Sequence, residues 1–246
     1  MGRQVSTLDK KSIAEATTRL GRAYSAVADV FEAVARQSGA AFRPEQAPAF
    51  RVRAIDGRLH ATCLTKIERL PYRRHQSASP PQRDRITVVL DSSETFRVEG
   101  DRRAPKLCLM NSTVKVAYYR PQQDRLTTLL CVRYDFDGAA DAHPIFHAQI
   151  DTNAVDQNKL VRLGLSSPVT PMPEHHERVR IPTANVIGPT ALLQIGADHL
   201  PYEKFARILH KIRGDVLFTR WTCDRSTLDR PKALAKLLSS TWYAPN

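Results

Sequence analysis

Between Ser6 and Gln37 the chain carries an unbroken apolar stripe at helical spacing, and the rest of the fold has to be arranged around it. Ile13, Ala16, Leu20, Tyr24, Val27, Phe31 and Val34 recur every three or four positions, which puts them on one side of an α-helix. Ser6 suits the N-cap, Asp9 the first turn, and Ser38-Gly39 the stop. A stripe of that length cannot stay in water. It must dock on a sheet of this chain, or on a partner protein.

After the loop "RPEQAP" the apolar period changes from 3.6 to 2. "FRVRAIDGRLHATCLTKI" reads as a hairpin turning at Asp56-Gly57, a dipeptide suited to a type I′ turn. Leu70 to Arg85 is rich in Pro, Ser and Arg without periodicity and reads as a loop. Strands are expected at Ile86–Leu90, Thr95–Val98, Leu107–Tyr119, Leu126–Asp137 and His143–Asp151, joined by short polar connections as in an antiparallel meander. "SSPVTPMPEHHER" is a second loop, and helices are expected at Pro189–His199, Pro201–Arg213 and Pro231–Ser240, each opened by a proline. The expectation is one α+β domain over residues 1–246: a helix in 1–40, a mostly antiparallel sheet in 50–151 and a helical part in 186–241. The first helix and the C-terminal helices cover one sheet face.

Several classes of protein drop out. No apolar run of 18 residues exists to span a membrane, and the first 20 residues lack the apolar core of a signal peptide, so a cytoplasmic protein is expected. Gly2 and Ser6 fit the short myristoylation pattern, which is too common to weigh. Cys63, Cys108, Cys131 and Cys223 are scattered without a CxxC pair, as reduced buried thiols would be, so no zinc site is expected of them. Phosphate-binding loops, dinucleotide fingerprints and nucleophile elbows are absent, and no motif points to a particular cofactor.

Charge gives the positive indication. Lys and Arg number 37 against 25 Asp and Glu, a formal net charge of +12, which favours anionic partners, nucleic acid first among them. In "PYEKFARILHKIRG" the residues Lys204, Arg207 and Lys211 form a basic stripe opposite Phe205, Ile208, Leu209 and Ile212. A docked helix with such a stripe can track a phosphate backbone. Arg69 to Arg120 holds 11 basic residues against 5 acidic, including Arg73, Arg74, Arg102 and Arg103, with Tyr72, Tyr118 and Tyr119 placed to stack on bases.

The densest chemistry lies in "YDFDGAADAHPIFHAQID", Tyr134 to Asp151. Strand alternation sends Val132, Tyr134, Phe136, Phe146 and Ala148 to the core and Arg133, Asp135, Asp137, His143, His147 and Gln149 to the other face. A five-residue loop would pair Asp137 with His143 and Arg133 with His147. His143 and His147 then stand roughly 13 Å apart along the strand, too far to share one ion. A metal would have to use His147 with Gln149, Asp135 or the loop residues His175 and His176. An imidazole held by a carboxylate can act as a general acid or base, and Arg133 can clamp a phosphate. The residues therefore allow two further readings. One is an enzyme acting on a phosphodiester or nucleotide through Arg133, Asp135, His143 and His147. The other is a non-enzymatic subunit of a larger assembly, whose first helix docks the partner. The simplest alternative is a solvated sheet face.

"RYDFD…HPIFHAQID" followed by "RIPTANVIGPTALLQIGADHL", within Leu130 to Leu200, resembles uncharacterised bacterial families often linked to mobile elements or phage defence. The resemblance implies a place in a bacterial defence system. It implies no activity and no catalytic residue.

Overall fold

The computed structural model describes residues 10–42, 49–71, 85–99, 106–122, 125–137, 146–150, 155–165, 169–170, 180–183, 186–212 and 222–223. Helix α1 runs Lys10–Gln37. Strands β1 (Arg51–Ile55) and β2 (Arg58–Pro71) form the expected hairpin, with Asp56 and Gly57 at φ 50° and 73° as a type I′ turn requires. Then follow β3 (Arg85–Glu99), β4 (Lys106–Gln122), β5 (Arg125–Asp137) and β6 (Phe146–Ile150). Helix α2 (Gln157–Arg162), short strands β7 (Val169–Thr170) and β8 (Arg180–Pro182), α3 (Gly188–His199), α4 (Tyr202–Ile212) and β9 (Thr222–Cys223) complete the described order.

These strands form one sheet in the order β1-β2-β3-β4-β5-β6-β8, antiparallel throughout that path, with β7 and β9 adding short parallel pairings to β5 and β4. The α+β architecture is the one the sequence led us to expect. The α1 stripe lies against the sheet: Leu20, Tyr24, Val27, Phe31 and Val34 are all at most 3% exposed. They share one apolar cluster with Leu59, Val88, Leu90, Phe96, Val114, Val116, Ala191, Leu192, Ile195 and Ile208, so α1, α3 and α4 cover the same face. This corrects the idea that the stripe docks a partner, because its large side chains are spent inside the fold.

One further expectation is revised. Ile86–Leu90 and Thr95–Val98 are one strand, β3, because "DSSE" at Asp91–Glu94 continues the ladder instead of turning. The opposite sheet face is not bare. Residues 155–165, with α2 at their centre, lay Val155, Leu160, Leu163 and Leu165 over Val89, Ala117, Tyr119, Leu126 and Cys131. Asp156 caps α2 by accepting from the Asn158 amide at 2.7 Å, and Lys159 ties α2 to Asp91 of β3 at 2.7 Å. The third expected helix, Pro231–Ser240, lies outside the described residues, as do Ser6–Asp9.

Candidate nucleic-acid interface

Beyond the patch covered by residues 155–165, the face of the sheet turned away from α1 is polar. Alternation fixes this: Val52 and Leu59 pack toward α1, so their neighbours Arg51, Arg53 and Arg58 point the other way. The register extends these positions into rows. Arg51, Thr62, Ser93, Thr113, Asp135 and His147 lie side by side across β1 to β6, and Arg53, His60, Thr95 and Asn111 form the row beside it. Ile55 pairs with Arg58, and Arg58 with Arg97.

Charge on this face divides into paired and unpaired. Arg97 holds Glu99, Arg133 holds Asp135, and Lys159 holds Asp91. Arg51, Arg53 and Arg58 are exposed, and among the described residues they have no ion-pair partner. They sit on β1 and the adjoining start of β2, at the edge of the sheet. Lysine and arginine also protect such edges from pairing with another chain. Three guanidiniums with Thr62 and His60 next to them in the register nevertheless offer phosphate oxygens both charge and hydrogen-bonding neighbours. The sequence singled out none of these three arginines. The signal was available: in "RVRAIDGR" the alternation that turns Val52 toward the core puts every arginine on one side.

The hairpin residues meet, in a register two residues from the one expected. Asp135 pairs with His147, Arg133 with Gln149, and Phe136 with Phe146. β5 is described to Asp137 and β6 from Phe146, and Pro144 and His143 lie outside the described residues. Asp135 Oδ1 accepts from Thr113 Oγ1 at 3.0 Å, and the Arg133 Nε reaches Oδ2 at 2.8 Å. His147 Nε2 stands 3.7 Å from Oδ2. His147 is only 2% exposed and the Asp135 side chain 10%, while that of Arg133 is 37% exposed. The arrangement orients an imidazole and a guanidinium through one carboxylate. Only the guanidinium reaches solvent, so the group can present a cation, whereas the imidazole is shielded from any substrate in this conformation. The face is thus neither fully solvated nor an open catalytic cleft.

The α4 stripe is also changed by its surroundings. Lys204 Nζ donates to the Gln37 carbonyl at the end of α1, so it caps a helix instead of facing a ligand. Arg207 and Lys211 are exposed, but Leu209, expected on the apolar side, is 44% exposed, and Tyr202 is 76% exposed. α4 packs on the helical side of the sheet, so its cations and the Arg51–Arg53–Arg58 group cannot form one continuous surface. Tyr119 is 2% exposed and buried under residues 155–165, and Tyr118 leans on His199 with ring centroids 5.5 Å apart. Neither is free to stack on a base. Arg73, Arg74, Arg102, Arg103, Tyr72, His175 and His176 lie outside the described residues. Among the described residues, no group of three or more His, Cys, Asp or Glu side chains is placed to hold a metal.

A second polar group, unforeseen in the sequence, lies on the other face of the same sheet. Glu94 is wholly buried, and its Oε1 accepts from the Gly188 amide at the start of α3 at 2.8 Å. Burial pushes its pKa up to about 8, although the Gly188 amide and the Ser92 hydroxyl beside it pull the other way. Tyr24 Oη, Ser92 Oγ and Glu94 Oε2 are buried and make no hydrogen bond of ordinary geometry. The thiol of Cys63 and the hydroxyl of Tyr24 are both pushed up, first by burial and then by the nearby Glu94. Gly188 is what lets the helix come so close. A Cβ there would lie 2.6 Å from Ser92 Oγ and closer still to the Phe50 ring.

Compared with known proteins, the chain matches no family model, no curated protein and no solved structure.

Proposed function

We propose that the protein binds nucleic acid, or a polyanion of the same phosphate chemistry, through the sheet face that bears Arg51, Arg53 and Arg58. The observation that carries this reading is the grouping of three exposed guanidiniums that, among the described residues, have no acidic partner, where Arg97, Arg133 and Lys159 are already engaged. A chain of net charge +12 supplies the long-range attraction. Large exposed aromatic side chains are missing from this face among the described residues. Contact is therefore to phosphate and sugar, with little sequence preference. The resemblance of the β5–β6 hairpin to bacterial families linked to mobile elements or phage defence is in keeping with such a ligand. Cys63, Cys108 and Cys131, buried and in no disulfide among the described residues, suit a cytoplasmic setting. Among the described residues no helix is long and apolar enough to cross a membrane.

Fluorescence anisotropy with a labelled duplex and a labelled single strand, over a salt series, tests the reading. Each phosphate contact on duplex DNA contributes about −0.9 to the slope of log K against log salt. Replacing Arg51, Arg53 and Arg58 together by Ala is expected to flatten that slope by roughly 2 to 3. Absence of binding at low salt would overturn the proposal. Loss of binding on replacing Arg207 and Lys211 instead would move the interface to α4.

A second reading, catalysis at a phosphodiester, rests on the approach of His147 to Asp135 at 3.7 Å. It requires the β5–β6 hairpin to open far enough to expose the imidazole. Phosphodiesterase assays on His147→Ala decide it: a rate loss of about 10²-fold or more without loss of folding supports catalysis. Unfolding assigns the histidine to the packing.

A further inference from the structure

Glu94 is a carboxyl side chain in the middle of a strand, pointing into the apolar core. Its register partners are Ala61 on β2 and Ser112 on β4. The groups that face it are Tyr24 from α1, Cys63 from β2, Ser92 from its own strand, Ser112 from β4 and the Gly188 amide from α3. None carries positive charge. The Ser112 hydroxyl is turned away to the Val186 carbonyl, which it meets at 3.2 Å. One amide, the Ser92 hydroxyl and one helix N-terminus are what favours an anion there, and an isolated buried carboxylate costs more than they return. Three polar atoms meet at this place without ordinary hydrogen bonds: Tyr24 Oη, Ser92 Oγ and Glu94 Oε2. A proton on Oε2 removes the uncompensated charge and gives the carboxyl a donor of its own, as the two hydroxyls already have.

We propose that Glu94 is a proton-operated latch: as the neutral acid it lets the first turn of α3 lie against the sheet, and loss of its proton to solvent releases that turn. The turn is the part that gives way because its Gly188 amide is the backbone group bound to Glu94. Its approach to the sheet rests on that bond, on the Ser112 bond to Val186 and on the buried side chains of Ile187, Pro189, Ala191 and Leu192, so the opening is confined to what the charge can offset. Opening the turn brings water to the new carboxylate without dismantling α1. The sign follows from the raised value in the closed form. The latch holds fully below the ordinary carboxyl value of 4.5, weakens as pH rises, and is fully lost above about 8.

Hydrogen exchange of the full chain, read by mass spectrometry from pH 5 to 9.5 and corrected for intrinsic rates, tests this. Opening of the segment Gly188–Leu193 is expected to rise about tenfold per pH unit through the window and to level off above about pH 8. In Glu94→Gln, which keeps an acceptor for the Gly188 amide, the rise should vanish. Equal pH dependence in the variant, or none in the wild type, overturns the proposal. So does a loss of protection shared equally by α1 and β4, since the proton would then hold the whole core. If Glu94→Gln fails to fold, the infrared carbonyl band of a protonated carboxyl decides on the wild type alone. A band that disappears near pH 8 supports the latch, and its absence at pH 6 overturns it.

Discussion

Glu94 and Asp135 are two carboxyl side chains set mid-strand in the same sheet, and they are treated in opposite ways. Asp135 points to the face without α1, where Arg133, Thr113 and His147 surround it. Glu94 points under α1 and α3, where one amide meets it and no cation does. The two positions look alike in sequence, each an acid within an alternating run. Their chemistry is set by which face the pleat gives them. A carboxylate beside a guanidinium can hold that guanidinium out to a ligand, whereas one sealed in the core without a cation is driven toward the neutral acid. The covered face is built for packing and the other for presentation.

The heaviest blow to that contrast should fall on the covered face. Phe31→Ala removes a ring with no exposure from the α1–sheet contact, and a loss of about 3–5 kcal/mol is expected in urea unfolding, with the m-value unchanged. A loss under 1 kcal/mol would mean that α1 is not the lid of the core. Gly188→Ala comes next. Its methyl must displace Phe50 or Ser92, and overpacking of this kind costs about 1–3 kcal/mol. A neutral result would show that the polar group around Glu94 is loosely held. Asp135→Asn should cost less, about 1–2 kcal/mol: hydrogen bonds to a charged group are lost, but Arg133 is partly exposed and solvent compensates it. Should it cost more than Gly188→Ala, the two faces carry comparable structural weight, and the contrast fails. Smallest of all, Arg51→Ala should leave stability within about 0.5 kcal/mol while flattening the salt dependence of duplex binding by about 0.9. Calorimetry and anisotropy on the same samples separate the two effects.

What could be read in the chain follows the strength of its local signals. The α1 stripe and the Asp56-Gly57 turn were legible because a 3.6-residue period and a positive-φ dipeptide need no tertiary information. β3 was not, since "DSSE" has the composition of a turn. Only the completed fold reveals that Ser92 and Glu94 enter the core while Asp91 meets Lys159. The hairpin pairing went astray by two residues because the loop length was inferred from composition. The faces were still right, since a shift of two preserves them. α2 gave no signal: six residues hold less than two turns of periodicity. Lys204 looked like a free cation because nothing nearby in sequence announces that the end of α1 lies beside it.

That last contact joins Gln37 to Lys204 across a sequence separation of 167 residues. It makes the helical layer the slowest part of the molecule to assemble. The strands β1 to β6 each pair with the next in sequence, so the sheet can zip by successive short closures. The seat of α4 on α1 requires the whole meander to be in place first. During synthesis the stripe of α1 can collapse onto β2 and β3 long before Ile208 arrives to complete the helical layer beside it. For that interval the nascent chain carries an apolar flank that only the finished protein hides, and it is in that interval that the chain is most prone to aggregation.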